Sequence, residues 1–166
     1  SLTGGSIVVS DAFKGFSLVD LETADKTLTL GAITLDAKKH GAAVYCNAGK
    51  VIVNGAIITG GKTSTYVARV YMTSNSQFEM NSGSITVNEV GNDWQNSYTK
   101  YAADLWIGAN ANGALTAING GTIGNIFVNA NEWSANNPGG FTMTGGEVTN
   151  LYVEYDSGYG GAFTYN

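Results

Sequence analysis

Apolar and polar positions alternate in short runs along almost the whole chain. Leu28 and Leu30 flank Thr29, Phe78 and Met80 flank Glu79, and Phe141 and Met143 flank Thr142. A period of two places alternate side chains on one face and predicts β-strands. No segment of useful length carries an apolar period of 3.6; the nearest, 19–24, is short and rich in β-formers. Each alternating run leads to a glycine followed two residues later by Ile or Val. The pairs are Gly5 with Ile7, Gly31 with Ile33, Gly55 with Ile57, Gly83 with Ile85, Gly121 with Ile123 and Gly146 with Val148, at spacings of 26, 24, 28, 38 and 25 residues. A repeat of this length built only from strands and turns predicts a chain wound into stacked β coils.

Each coil is expected to hold three short strands. The first precedes the glycine and the second follows it. The third comes after a loop, as at 17–21, 44–46, 67–72 and 105–107. The six Ile/Val residues of the motif should form one buried ladder, with Leu30, Val53, Phe78 and Met143 in a column on the adjacent wall. The glycines would turn the corner between these walls, where a side chain would be strained. The fold expected is therefore all-β: a single solenoid domain over residues 1–166 with about six coils. The connections after the second strand lengthen from 36–41 and 60–65 to 88–100, 129–140 and 154–161. They are expected to project along one edge, where binding commonly evolves in solenoids.

Composition fits this picture. The 166 residues include 23 Gly, 17 Asn and 17 Thr, and only 13% are charged. Gly and Asn accept tight turns, and Thr favours strands. Charge is unevenly placed. Residues 1–100 hold all 8 Lys and Arg against 8 acids, whereas 101–166 hold no base and five acids: Asp104, Glu132, Glu147, Glu154 and Asp156. The formal charge of −5 thus falls in the last two-fifths. That argues against nucleic acid or an anionic membrane as partner, because both require a basic surface. The single Cys46 lies in a strand-like run and reads as a buried thiol. No apolar stretch is long enough for a membrane-spanning helix.

The Gly-Gly-x-Ile pattern around Gly5, Gly31, Gly55, Gly83, Gly121 and Gly146 resembles right-handed parallel β-helices of the pectate-lyase-like class. It is most similar to repeats of bacterial surface adhesins and of phage fibres and tailspikes. The resemblance covers nearly the whole chain. It implies the fold, together with a choice among polysaccharide lyases, hydrolases, adhesins and structural fibres that the fold does not make.

Aligned on the motif glycine, Asp93, Asn131 and Asp156 share an offset of ten residues, with Trp94, Glu132, Trp133 and Tyr155 beside them. Coils about 4.8 Å apart would gather these groups. Aromatic faces cover the C–H face of a sugar while carboxylates and amides bind its hydroxyls. These seven residues are the candidate glycan site; the plainer alternative makes the two Trp loop anchors and leaves the acids in solvent. The same acids could hold Ca²⁺, although no calcium-loop motif is present. Asn54, Asn119, Asn125 and Asn150 read as side chains satisfying turn backbone.

Catalysis is poorly provided for. His40 lies in a polar turn, no nucleophile motif occurs, and the acidic half lacks the basic residue that lyases of this fold pair with acids. Glycoside hydrolysis would need only two carboxylates about 5–10 Å apart, such as Glu132 with Asp156 or Asp93 with Glu132. The expectation is an extracellular module of a cell surface or virion that binds glycan and does not catalyse. The alternative is a structural fibre module whose solenoid ends dock onto neighbouring subunits or flanking domains. Both regard the chain as an excerpt of a longer protein or a unit of an assembly.

Overall fold

The structure, a computed structural model, describes residues 1–10, 12–13, 15, 17–38, 42–59, 68–73, 76–86, 103–108, 115–129, 140–154 and 162–165. Among these there are fourteen strands and no helix. They are β1 (Ser6–Val8), β2 (Ser17–Leu21), β3 (Thr27–Leu30), β4 (Thr34–Asp36), β5 (Ala42–Cys46), β6 (Gly49–Thr59), β7 (Val70–Met72), β8 (Ser76–Ile85), β9 (Leu105–Gly108), β10 (Leu115–Ile118), β11 (Thr122–Asn129), β12 (Gly140–Met143), β13 (Glu147–Glu154) and β14 (Ala162–Tyr165). Every pairing between them is parallel and joins one coil to the next, so the chain is a parallel β-solenoid.

The solenoid has three walls. The first runs through β3, residues 49–53 of β6, residues 76–80 of β8, β10, β12 and β14. The second runs through β1, β4, the ends of β6 and β8, and the starts of β11 and β13. The third runs through β2, β5, β7, β9 and the second halves of β11 and β13. About four turns are complete, with a coil above and below on every wall, where six coils were expected. The six glycines also count the first and last coils, each of which borders the stack. Nor are the strands uniformly short: β6 and β8 pass from first wall to second, and β11 and β13 from second to third, without a break.

The interior is apolar and continuous. On the first wall Leu30, Val53, Met80, Ile118 and Met143 lie in register and are buried. Phe78 was expected in this column. It stands two residues along, opposite Val51, and is equally buried. Burying each such side chain contributes about 1.5–3 kcal/mol. On the second wall the column reads Ile7, Leu35, Ile58, Ile85, Ile123, Val148. Two members of the expected ladder depart from it. Ile57 is 47% exposed: the inward place lies five residues after Val53, as Ile85 lies five after Met80, but Gly55 stands one residue nearer to Val53 than Gly83 does to Met80, so Ile58 takes the inward place. Ile33 is buried, but at the corner beside Ala56; Leu35 holds its place in the column. Ile7 is in register yet 36% exposed, because β1 has a neighbour on one side only.

Five motif glycines, Gly5, Gly55, Gly83, Gly121 and Gly146, have positive φ, whereas Gly31 does not. Gly83 shows why the corner excludes a side chain. Its φ is 105°, and a Cβ there would strike the carbonyl oxygen of Ala56 in the preceding coil. Gly83→Ala is expected to cost on the order of 1–3 kcal/mol, measured as a lower urea midpoint.

The outer edge of this corner carries a polar ladder. Asn81 Nδ2 donates to Asn54 Oδ1 at 2.8 Å, Asn119 Nδ2 to Asn81 Oδ1 at 2.9 Å, and Thr144 Oγ1 to Asn119 Oδ1 at 2.9 Å. Asn150 similarly donates to Asn125 at 2.8 Å on the third wall. The asparagines thus bond to one another from coil to coil, where bonds to their own turns were expected. Stacking places identical amides one strand spacing apart, which is the geometry of an amide ladder. Cys46 is fully buried, and desolvation pushes its thiol up to about 11. Native protein at pH 8 is expected to resist a thiol-alkylating reagent that modifies the unfolded chain readily.

Candidate functional site

The third wall differs from the other two on its outward face. Four of its strands, β5, β7, β9 and β11, share a local pattern in which an aromatic residue sits between two inward apolar ones. Tyr45, Tyr71, Trp106 and Phe127 are therefore in register on adjacent coils, with Asp20 in the same row. Tyr71 and Trp106 stack with centroids 4.4 Å apart and planes 8° apart; Trp106 and Phe127 are 6.2 Å and 13° apart; Tyr45 and Tyr71 are 5.6 Å and 34° apart. Trp106 and Phe127 point away from the solenoid interior, yet they are 5% and 1% exposed. With Ala68 and Ala103 they form a second, smaller apolar cluster outside the main core. The recurring aromatic offset is visible in the sequence at 45, 71, 106, 127 and 152. The glycine spacing does not single it out, because the aromatic row lies on a different wall from the glycine corner.

Two residues before the aromatic row runs a polar row. Arg69 NH1 donates to Asp104 Oδ1 at 2.8 Å, and the two side chains are 3% and 0% exposed. The second carboxylate oxygen of Asp104 accepts from the backbone N–H of Asn125 at 2.7 Å. That oxygen occupies the space a Cβ on Gly124 would take, so glycine at 124 leaves room for the carboxylate. Burial pushes the Asp104 carboxyl up to about 6, opposed by the Arg69 charge and the Asn125 N–H, and burial lowers the pKa of Arg69. Asp104 was counted among acids of a half without bases. The fold brings it a base from the other half, so it adds no charge to the surface.

Among the described residues two buried donors on this wall have no acceptor: Arg69 Nε and Trp106 Nε1. By contrast, the half-buried pair of Lys50 and Glu79 is satisfied. Lys50 Nζ lies 2.6 Å from Glu79 Oε2, and this bond together with one from Asn81 holds the Glu79 carboxyl below the usual range.

The seven residues of the expected site, Asp93, Trp94, Asn131, Glu132, Trp133, Tyr155 and Asp156, lie outside the described residues, as does His40. The strands that flank their loops are described, and they correct one premise. The connection after β8 joins the second wall to the third, whereas those after β11 and β13 join the third wall to the first. The loops therefore start from two different corners. All three nevertheless have one end on the third wall.

Among the described residues no group of three or more His, Cys, Asp or Glu is placed to hold a metal ion. Among the same residues no helix is long and apolar enough to cross a membrane. No known protein family, curated protein or solved structure matches the chain.

Proposed function

We propose that this chain is an extracellular recognition module of a cell surface or virion, in which a rigid β-solenoid displays glycan-binding loops beside its third wall. The observation that carries the reading is the attachment of the three long connections. Each is rooted on the third wall, two on one side and one on the other, and that wall is stiffened by a stacked aromatic row and a buried ion pair. Stiff roots lower the ordering cost of binding. The loops supply the chemistry: Trp94, Trp133 and Tyr155 to cover sugar C–H faces, and Asp93, Asn131, Glu132 and Asp156 to bind hydroxyls.

Glycan-array binding tests it. Wild-type protein should bind a defined glycan set, and Trp94→Ala or Trp133→Ala should weaken binding at least tenfold with an unchanged melting temperature. Polysaccharide turnover that disappears in Glu132→Gln or Asp156→Asn would replace this reading with a glycosidase.

A structural fibre module is the second reading, favoured by the coil of β1 and β2. Among the described residues each of these strands pairs on one side only, and Ile7 and Val8 are 36% and 50% exposed there. End-to-end polymers that grow with concentration and vanish in Val8→Lys would support it.

A further inference from the structure

We infer that Asn54 is a self-modifying site, at which the backbone nitrogen of Gly55 attacks the side-chain amide and converts it to an acid, while the amide ladder spares Asn119 in the same kind of sequence. Both residues precede a glycine, which leaves the approach to the amide carbon unhindered, and both follow a β-branched residue, Val53 or Ile118. Both are exposed at the same corner of the solenoid, two coils apart. Local sequence therefore makes them equal, and the ladder makes them different.

The ladder has a direction. Thr144 donates to Asn119, Asn119 to Asn81 and Asn81 to Asn54, each toward the preceding coil. It ends at Asn54, because Leu30 pairs with Val53 and the next residue of that coil is Gly31, which has no side chain to accept. Asn54 thus only accepts; among the described residues its Nδ2 has no partner. Asn119 is held at both atoms of its amide, since Nδ2 donates to Asn81 at 2.9 Å and Oδ1 accepts from Thr144 at 2.9 Å. Its attacking nitrogen is held as well, because the Gly120 N–H donates to the Met80 carbonyl at 3.3 Å. Gly55 instead lies where the register of β6 with β8 shifts, and it takes no place in the pairings of β6 with β3, β4 or β8.

The step balances with water alone. The Gly55 nitrogen bonds to Asn54 Cγ and gives up its proton, the Cγ–Nδ2 bond breaks, and ammonia leaves with that proton. Water then opens the cyclic imide, at one carbonyl to give aspartate and at the other to give isoaspartate. Aspartate fits the end of the ladder, because a carboxylate oxygen still accepts from Asn81 Nδ2. At position 119 the same change would set a carboxylate against Asn81 Oδ1, an acceptor facing an acceptor.

The test is a peptide map of the full chain after incubation at pH 8, native and in urea, with amide, aspartate and isoaspartate forms resolved by mass spectrometry. In the native protein Asn54 should convert at least tenfold faster than Asn119, a ratio supplied by the hydrogen bonds that must first break at Asn119 and Gly120. In urea the two rates should agree to within about threefold, since the ladder is gone. These comparisons use the wild type and do not depend on a variant folding. Asn81→Ala releases the Asn119 amide and should speed its conversion. Asn54→Asp should keep the wild-type urea midpoint, whereas Asn119→Asp should lower it. A third Asn-Gly step, Asn112–Gly113, lies outside the described residues and is mapped as a separate peptide. A native rate at Asn119 equal to that at Asn54, an Asn54 that stays an amide while the unfolded chain converts, or a native difference that persists in urea overturns the inference.

Discussion

Ile58→Asp is expected to unfold the domain, whereas Ile57→Asp, one residue earlier, should be tolerated to within about 0.5 kcal/mol. Ile58 is fully buried in the second-wall column between Leu35 and Ile85, so Asp there places an uncompensated carboxylate among aliphatic side chains. That cost exceeds the roughly 5–15 kcal/mol by which domains are stable, unless the group is protonated. Ile57 faces out at 47% exposure in a row of Ser84 and Thr34. Ile85→Asp should behave as Ile58→Asp does, because Ile85 is equally buried. Circular dichroism and urea unfolding of the three variants check the register directly. Equal destabilisation by Ile57→Asp and Ile58→Asp would mean that Ile58 does not hold the inward place of its coil.

The second large effect concerns the buried pair. Asp104→Ala removes the partner of a guanidinium that is 3% exposed and also the acceptor of the Asn125 N–H, and should cost about 3–5 kcal/mol. Replacing both partners by apolar residues, as in Arg69→Met with Asp104→Leu, should cost far less or even stabilise, because two desolvation penalties vanish together. The pH dependence has a definite sign. The Asp104 carboxyl is raised from an ordinary 3.8 to about 6 in the fold, so between these values the folded state binds more protons than the unfolded chain. The contribution of this group is fully present below about pH 4 and is lost as pH rises through 6. The difference in unfolding free energy between wild type and the double variant should therefore shift in favour of wild type on acidification from pH 7 to 4, by on the order of 2–3 kcal/mol. Urea titrations of both proteins across that range make the comparison. A shift of opposite sign would mean that Coulomb attraction outweighs desolvation at this site.

Alternation and the spacing of six glycines were enough to identify a parallel solenoid, the first-wall column of Leu30, Val53 and Met143, and the inward Ile85 and Ile123. These follow from local rules, since a period of two and a left-handed corner are properties of a few consecutive residues. Three things were settled by contacts between coils. The inward positions of the second and third coils moved from Ile33 and Ile57 to Leu35 and Ile58, because pairing between coils sets the register and the glycine stands nearer the first wall in these two coils than in the later ones. Arg69 and Asp104, 35 residues apart, became partners because the third wall stacks them, although their charges read as belonging to separate halves. The connections that hold 93, 131 and 156 start from two different corners, because β11 and β13 carry the second wall straight into the third while β8 ends on the second. Offset from a motif measures distance along the chain; position on a solenoid is set by which corners the strands cross without stopping.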